Sequence, residues 1–367
     1  MKLKLELRES PSRVMQWASP LMALGLTVVI GIGIFLLLDK SPLQALSMFF
    51  YEPIKSMYGW SEIAVKSAPL ILCAIGLAVC YRANVWNIGA EGQLVAGAVA
   101  AGAVAIYAPS TGGTGYVVLP LLAGIAGGMF WASITAFLRD KLNTSEILVS
   151  LMLTYVAQNI LIYAVHGPLR DPNGFNFPQS KMFESSTLLP ILITGTRIHA
   201  GVILALLAVL LAYILIFRSF VGYQMQVGGA APLAARYAGY SSRGALWSSL
   251  LICGGLAGLA GATEVTGPIG QINPHVSVGY GFAAIIVAFV GRLHPIVIIM
   301  SAVLMSMFYI GGELAQSRMG MPSAITGVFQ GVLLVALLVC DTLIDYKLKW
   351  IGEPALVKID DQQSRSA

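Results

Sequence analysis

Apolar runs of membrane-crossing length recur along the chain, each closed by a short polar stretch. The first, Trp17 to Leu38, has 22 residues, and about 20 apolar residues cross a bilayer core as a helix. Nine more runs follow at 62–81, 88–108, 116–138, 144–165, 198–217, 244–266, 280–291, 295–311 and 322–340. The pattern predicts about ten transmembrane helices. The run 280–291 is too short to cross alone. Gly267, Pro268, Gly270, Asn273 and Pro274 precede it, which predicts a broken helix, tolerated only where protein or a cavity surrounds it. The first run ends in LLLDKSP without a small-residue cleavage site, so an uncleaved first helix is expected.

Composition agrees with this pattern. The 367 residues are 57% hydrophobic and 11% charged, with a mean hydropathy of +0.79, against about 25% charge in a soluble protein. The fold class expected is an all-α polytopic membrane protein. The formal net charge of +5 is read as basic cytoplasmic loops and not as nucleic-acid binding. With ten spans and the N-terminus inside, the inner segments hold 15 Lys and Arg and the outer segments 6. That bias predicts both termini inside. The expected organisation is a cytoplasmic segment 1–16, a transmembrane region 17–340 with a cytoplasmic loop 218–243, and a charged cytoplasmic tail 341–367.

Two stretches break the apolar pattern inside the membrane region. One is NVWNIGAEGQ, from Asn84 to Gln93; the other contains NPHVSVGYG, from Asn273 to Gly281. Each pairs an Asn-containing break with a Gly-rich helix start, so spans 2–5 and 7–10 are expected to form an inverted repeat. Small-residue stripes at Gly92, Ala96 and Ala100, at Gly124 and Gly128, and at Gly254, Gly258 and Ala262 are read as close helix packing. Glu91 and Glu264 lie deep within spans, where a carboxylate costs roughly 2.5–3.5 kcal/mol. Both must face the bundle interior. A polar pathway and a satisfied interhelical hydrogen bond remain equal readings for each. Glu146, after Asn143, Thr144 and Ser145, is read as serving a helix N-terminus.

Other chemistry is not indicated. Cys73, Cys80, Cys253 and Cys340 lie within or at the end of apolar runs without a CxxC pair and are read as small buried hydrophobes. The four histidines are scattered, so no metal site is expected. No cofactor is expected either. No lysine follows a glycine, so a Walker P-loop is absent, and no GxSxG appears. In the inner loop, 229–240 reads as a short helix with Pro232 at its first position and Gly239 at its end. Docking on a soluble partner and lying on anionic membrane lipid are both open for it.

The stretches YRANVWNIGAEGQLVAGA (81–98), LNTSEILVSLMLTYVA (142–157), VGGAAPLAARYAGYSS (227–242) and GYGFAAIIVAFVGRLHP (279–295) resemble permease subunits of ATP-binding cassette (ABC) importers. The branch is the one that groups ribose-type sugar permeases with nucleoside permeases, and NIGAEGQ is closest to the nucleoside side. The resemblance covers about 60–340. It implies a bacterial plasma-membrane complex of two permease subunits, identical or paralogous, with two ATPase subunits and an extracytoplasmic solute-binding protein of the basic membrane lipoprotein type. It also implies that 229–240 is a coupling helix, with Pro232, Ala235, Arg236, Tyr237 and Gly239 at the ATPase contact. The chain departs from the family at Ala230-Ala231-Pro232, where a polar residue is common. Asn84, Trp86, Asn87, Glu91, Gln93, Glu264, Gln271 and Asn273 are the pathway candidates, for nucleosides first and monosaccharides second. The chain is expected to do no chemistry itself. The alternative is a self-contained secondary transporter or channel for a small polar solute.

Overall fold

A computed structural model describes residues 2–8, 12–108, 114–175 and 177–351. The elements in chain order are β1 (Lys2–Leu7), α1 (Arg13–Leu37), α2 (Pro42–Leu46), α3 (Met57–Arg82), α4 (Ala90–Ile106), α5 (Val118–Leu142), α6 (Glu146–His166), α7 (Gly201–Arg218), α8 (Phe220–Ala230), α9 (Pro232–Tyr237), α10 (Ser242–Glu264), α11 (Tyr280–Val290), α12 (Pro295–Met319), α13 (Ile325–Asp345) and β2 (Tyr346–Ile351). A π-helical turn, Val265–Ile269, prolongs α10. Among the described residues, eight helices are long and apolar enough to cross a membrane, and α4 and α11 are the two shorter apolar ones. The protein is therefore the all-α polytopic membrane protein that its hydropathy predicts.

Two compact units are present, one of residues up to Ile34 with those from Gly331 on, the other Phe35–Gln330. In the first, β1 and β2 pair antiparallel, with Leu7 opposite Tyr346 and Lys4 opposite Lys349. The Arg8 N–H donates to the Asp345 carbonyl at 2.7 Å, and the Ser19 hydroxyl donates to Asp341. The sequence boundary at 340 thus falls inside α13, and 346–351 is a strand; 352–367 lie outside the described residues. Pairing puts both ends of the chain on one side, so the number of crossings is even. Ten spans, with α4 and α11 both counted, meet that condition, as do the eight long helices by themselves.

The second unit is built on α3, whose apolar window is 89% buried. Against it pack α7, α10, α11 and α12, and α10 in turn meets α4 and α5 through glycines. A Cβ on Gly258 would stand 2.2 Å from the Gly124 carbonyl oxygen and 2.9 Å from the Gly128 Cα, and one on Gly97 2.3 Å from the Gly258 Cα. Three backbones touch where only hydrogen fits. In lipid, helix association depends on such close packing, since apolar side chains gain nothing by leaving hydrocarbon. The small-residue stripes therefore fix where the helices cross.

Two regions differ from the hydropathy reading. The inner loop contains α8 as well as the expected short helix, and the residues before α3 form α2 followed by a π turn, Ser47–Tyr51. Phe49 of that turn is fully buried against Phe308 and Phe329. The segment before α7 pairs with the chain after α10. The Phe183 N–H donates to Gly270 O and the Leu189 N–H to Thr266 O, at 2.9 and 2.8 Å. His199 is buried beside Gly201 and Gly267, and its Nδ1 accepts the Gly201 N–H at 3.1 Å, so its proton sits on Nε2.

Gly258→Ala should destabilise the protein by about 1–3 kcal/mol through overpacking. Gly25→Ala, where a Cβ meets nothing within 4 Å, should not. Thermal unfolding of the two variants in detergent separates these outcomes.

Burial, helped by the Arg197 charge, lowers the His199 pKa to about 4. The unfolded chain takes up that proton near the ordinary histidine value of about 6.5. Stability from this ring is present above the unfolded value and is lost as pH falls from there toward 4. His199→Asn keeps a local acceptor without the titration and should flatten that part of a stability-against-pH curve.

Candidate functional site

The first break begins where α3 ends. Asn84 adopts a left-handed backbone, φ 55°, which asparagine tolerates better than most residues. Its Oδ1 accepts the Trp86 indole N–H at 3.1 Å. The Trp86 ring is 42% exposed and packs on Tyr81 and Phe289, with centroids 5.4 and 6.3 Å away. Asn87 is fully buried. Its Oδ1 accepts the Gly89 N–H at 2.9 Å, and its Nδ2 donates to Gln93 Oε1 at 3.1 Å and to the Cys253 Sγ at 3.2 Å. Tyr81 Oη donates to the Asn87 carbonyl, and the Ile88 N–H donates to Ser150 Oγ, at 3.0 and 3.1 Å. The irregular backbone is thus held from α3, α6 and α10.

Glu91 joins the two breaks. It is the second residue of α4, and its Oε2 accepts the N–H of Gly281, the second residue of α11, at 2.7 Å. A Cβ on Gly281 would lie 2.2 Å from the Glu91 nitrogen, so the helix starts meet backbone to backbone. Corresponding positions of spans 3 and 8 therefore touch. Helix N-termini carry unsatisfied N–H groups and a partial positive charge. One carboxylate here serves two of them.

The other candidates lie elsewhere. Glu264, the last residue of α10, is buried, with Lys66 and Arg197 as its neighbouring cations. Lys66 itself pairs with Glu313 at 2.8 Å. Gln271 and Asn273 sit with the outer segment. Gln271 Nε2 donates to Gln179 Oε1 at 3.4 Å, and Asn273 Oδ1 accepts the His275 N–H at 2.9 Å. The structure brings Glu91 to the start of the second half-helix, but not to Glu264, Gln271 or Asn273. Glu146 opens α6 and pairs with Arg139 at 3.3 Å.

Between α8 and α10, α9 spans Pro232–Tyr237 with Pro232 at its start. Gly239 has φ 80°. The Tyr240 N–H donates to Ala235 O and the Gly239 N–H to Arg236 O, at 2.9 and 3.1 Å, which is a Schellman ending. Ala235 is buried, whereas Leu233, Arg236 and Tyr237 are exposed, Tyr237 at 99%. Immediately before α9, Gly229 lies against the first break; a Cβ there would stand 2.6 Å from the Ala83 carbonyl carbon and 2.9 Å from the Asn84 nitrogen. A cavity of about 360 Å³ opens beside this contact, lined by Asn84, Arg139, Asp140, Glu146, Pro232 and Arg243 among others. Arg243 pairs with Asp140 at 2.6 Å. Arg82 ties the same region together. Its Nε donates to the Leu293 carbonyl at 3.0 Å, its Nη1 to Gln226 Oε1 at 3.4 Å, and its guanidinium lies 5.0 Å from the Phe217 ring centroid.

Sequence reading missed Ser150, Cys253, Gly281 and Gln226. Ser150 had a signal, since Glu146, Ser150 and Thr154 recur four apart on one helix face. The others act across long sequence separations and left none.

Residues 59–338 match the family described as branched-chain amino acid transport system / permease component. The glucose ABC transporter permease protein TsgB13 of Haloferax volcanii is 30% identical, over 95% of this chain and 94% of its own. The guanosine permease NupP of Bacillus subtilis is 29% identical, over 86% and 91%. The nucleoside permease NupB of Lactococcus lactis is 26% identical, over 84% and 87%. No solved structure matches.

Glu91→Ala leaves the Gly281 N–H without its acceptor and should cost about 1–3 kcal/mol. Glu91→Gln keeps an oxygen there and should cost less. Detergent unfolding midpoints in the order wild type, Gln, Ala are expected; an alanine midpoint equal to wild type would remove this bond as a support.

Proposed function

The chain belongs to the permease-component family of branched-chain-type transport systems, and from that premise we propose which solute it carries and how it is driven. It is a multi-pass permease subunit of an ABC importer. Its cargo is a nucleoside or a related simple sugar. The observation that carries this is the near end-to-end similarity to relatives named for glucose, guanosine and nucleosides. The chain pairs with a second permease subunit, receives solute from an extracytoplasmic binding protein, and is driven by separate ATPase subunits. The missing Walker P-loop is consistent with ATP hydrolysis in those partners.

The ATPase docks on α9. This short helix is anchored by buried Ala235 and shows Leu233, Arg236 and Tyr237 outward, the form of a helix laid in a partner's groove. Movement of α9 reaches the pathway through Gly229 and Asn84. The eight pathway candidates then take two duties. Asn87, Glu91 and Gln93 hold the half-helices in register, and Asn84, Trp86, Gln271 and Asn273, all at least partly exposed, together with Glu264, meet the solute.

Reconstitution in liposomes tests the reading. Uptake should require the binding protein, the ATPase subunits and ATP; uptake by this chain alone under an ion gradient would instead make it a secondary transporter. Arg236→Glu should lower transport-coupled ATP hydrolysis by about tenfold or more, as reversal of a charge at a docking contact does, while the unfolding midpoint stays put. Unchanged coupled hydrolysis would remove α9 from the contact.

A further inference from the structure

The helix α6 has two unlike faces. One packs on the first break, with Glu146, Ser150, Thr154 and Ala157 buried. The other carries Tyr155, Asn159 and Tyr163, four residues apart and so in one row. All three are exposed, the tyrosines at 54% and 70%. Asn159 lies seven residues before the end of α6, about 10 Å inside the span at 1.5 Å per residue. Its Nδ2 donates to the Tyr155 carbonyl at 2.8 Å, and no partner is described for its Oδ1.

A side-chain amide facing acyl chains is costly, because nothing in hydrocarbon can accept or donate. The lipid-facing alternative is visible in α7, whose exposed positions include Ile203, Leu206, Leu207, Leu210, Leu211 and Ile214, all hydrocarbon. The exposed residues of α5 within its span, such as Leu122, Met129, Phe130 and Phe137, are apolar as well. On α6, Leu148, Met152, Val156 and Ile160 are exposed on the same side as the row, and it is the Asn159 amide that does not fit that environment.

We propose that Tyr155, Asn159 and Tyr163 of α6 line the water-filled passage and contact a solute bearing a flat nitrogen heterocycle, as a nucleoside does. This rests on the permease reading and narrows its cargo. A phenol ring offers a stacking surface to a base, whatever its sequence identity. A side-chain amide offers the donor and acceptor that a base edge presents. A monosaccharide has no π face and meets a phenol ring only through its C–H groups. The tyrosines are eight residues apart, about 12 Å along the helix, too far to sandwich one ring. They instead form successive weak contacts, as a conduction path needs. Ser150 of the same helix holds Ile88, so α6 ties this row to the first break.

Cysteine accessibility in the assembled importer tests this. The four native cysteines are buried, which keeps the background low. Asn159→Cys and Tyr163→Cys, made singly, should react with a small charged methanethiosulfonate at least about tenfold faster than Leu210→Cys, since it is a water-exposed thiolate that attacks the reagent and displaces methanesulfinate. Guanosine should slow that reaction severalfold, and glucose should not. Labelling as slow as at Leu210→Cys would place the row against lipid or the second permease and overturn the proposal. Equal protection by glucose, or none by guanosine, would overturn the solute assignment. The permease reading stands or falls separately, on ATP-dependent uptake by the unsubstituted importer.

Discussion

A backbone that leaves helical geometry inside a bilayer must find its hydrogen bonds within the protein. This chain leaves it twice, at 83–89 and 270–279, and much of its buried polar chemistry follows. Asn87, Gln93, Ser150 and Ser180 each bond backbone or one another around a break. Glu91 closes the arrangement by accepting from the start of the opposite half-helix. A carboxylate that is expensive in hydrocarbon becomes affordable where two helix N-termini converge, because both the N–H groups and their dipoles favour negative charge.

The glycine crossing and the breaks depend on each other. The helices α4, α5 and α10 touch through Gly97, Gly124, Gly128 and Gly258, and just before α4 Asn87 reaches Cys253 of α10. Larger residues at the crossing would separate the backbones that supply those partners. Packing here sets the geometry in which the polar groups can be satisfied, so the two contributions to stability are not independent.

Much of this was legible in the sequence. Spans follow from apolar length, so each of the ten expected runs meets a helix, though α12 runs on to Met319, beyond the expected end at 311. The breaks announced themselves through Asn, Gly and Pro, and α9 through Pro232 and Gly239. What remained hidden was relational. Glu91 and Gly281 are 190 positions apart, and no local pattern links them. The strand pairing of the two chain ends is equally non-local. The helix α8 went unread because its sequence, FVGYQMQVGGA, is rich in glycine, a poor helix former. The row on α6 looks like ordinary amphipathic residues until its exposure is seen beside the hydrocarbon face of α7.

The contact at Gly229 places the chain entering α9 directly on the first break. The last turn of α8 lies on Ala83 and Asn84 without an intervening side chain. A shift of α9 that carries Gly229 with it must therefore displace Asn84, whose left-handed backbone and side chain position the Trp86 ring. Arg82 adds a second tie, binding the end of α3 to Gln226 in α8 and to the turn before α12. Close-packed contacts transmit displacement because they do not deform continuously. Each link from α9 toward Glu91 is a backbone contact or a hydrogen bond. The same links that satisfy the broken backbone can thus carry a movement from the inner face to the place where the two half-helices meet.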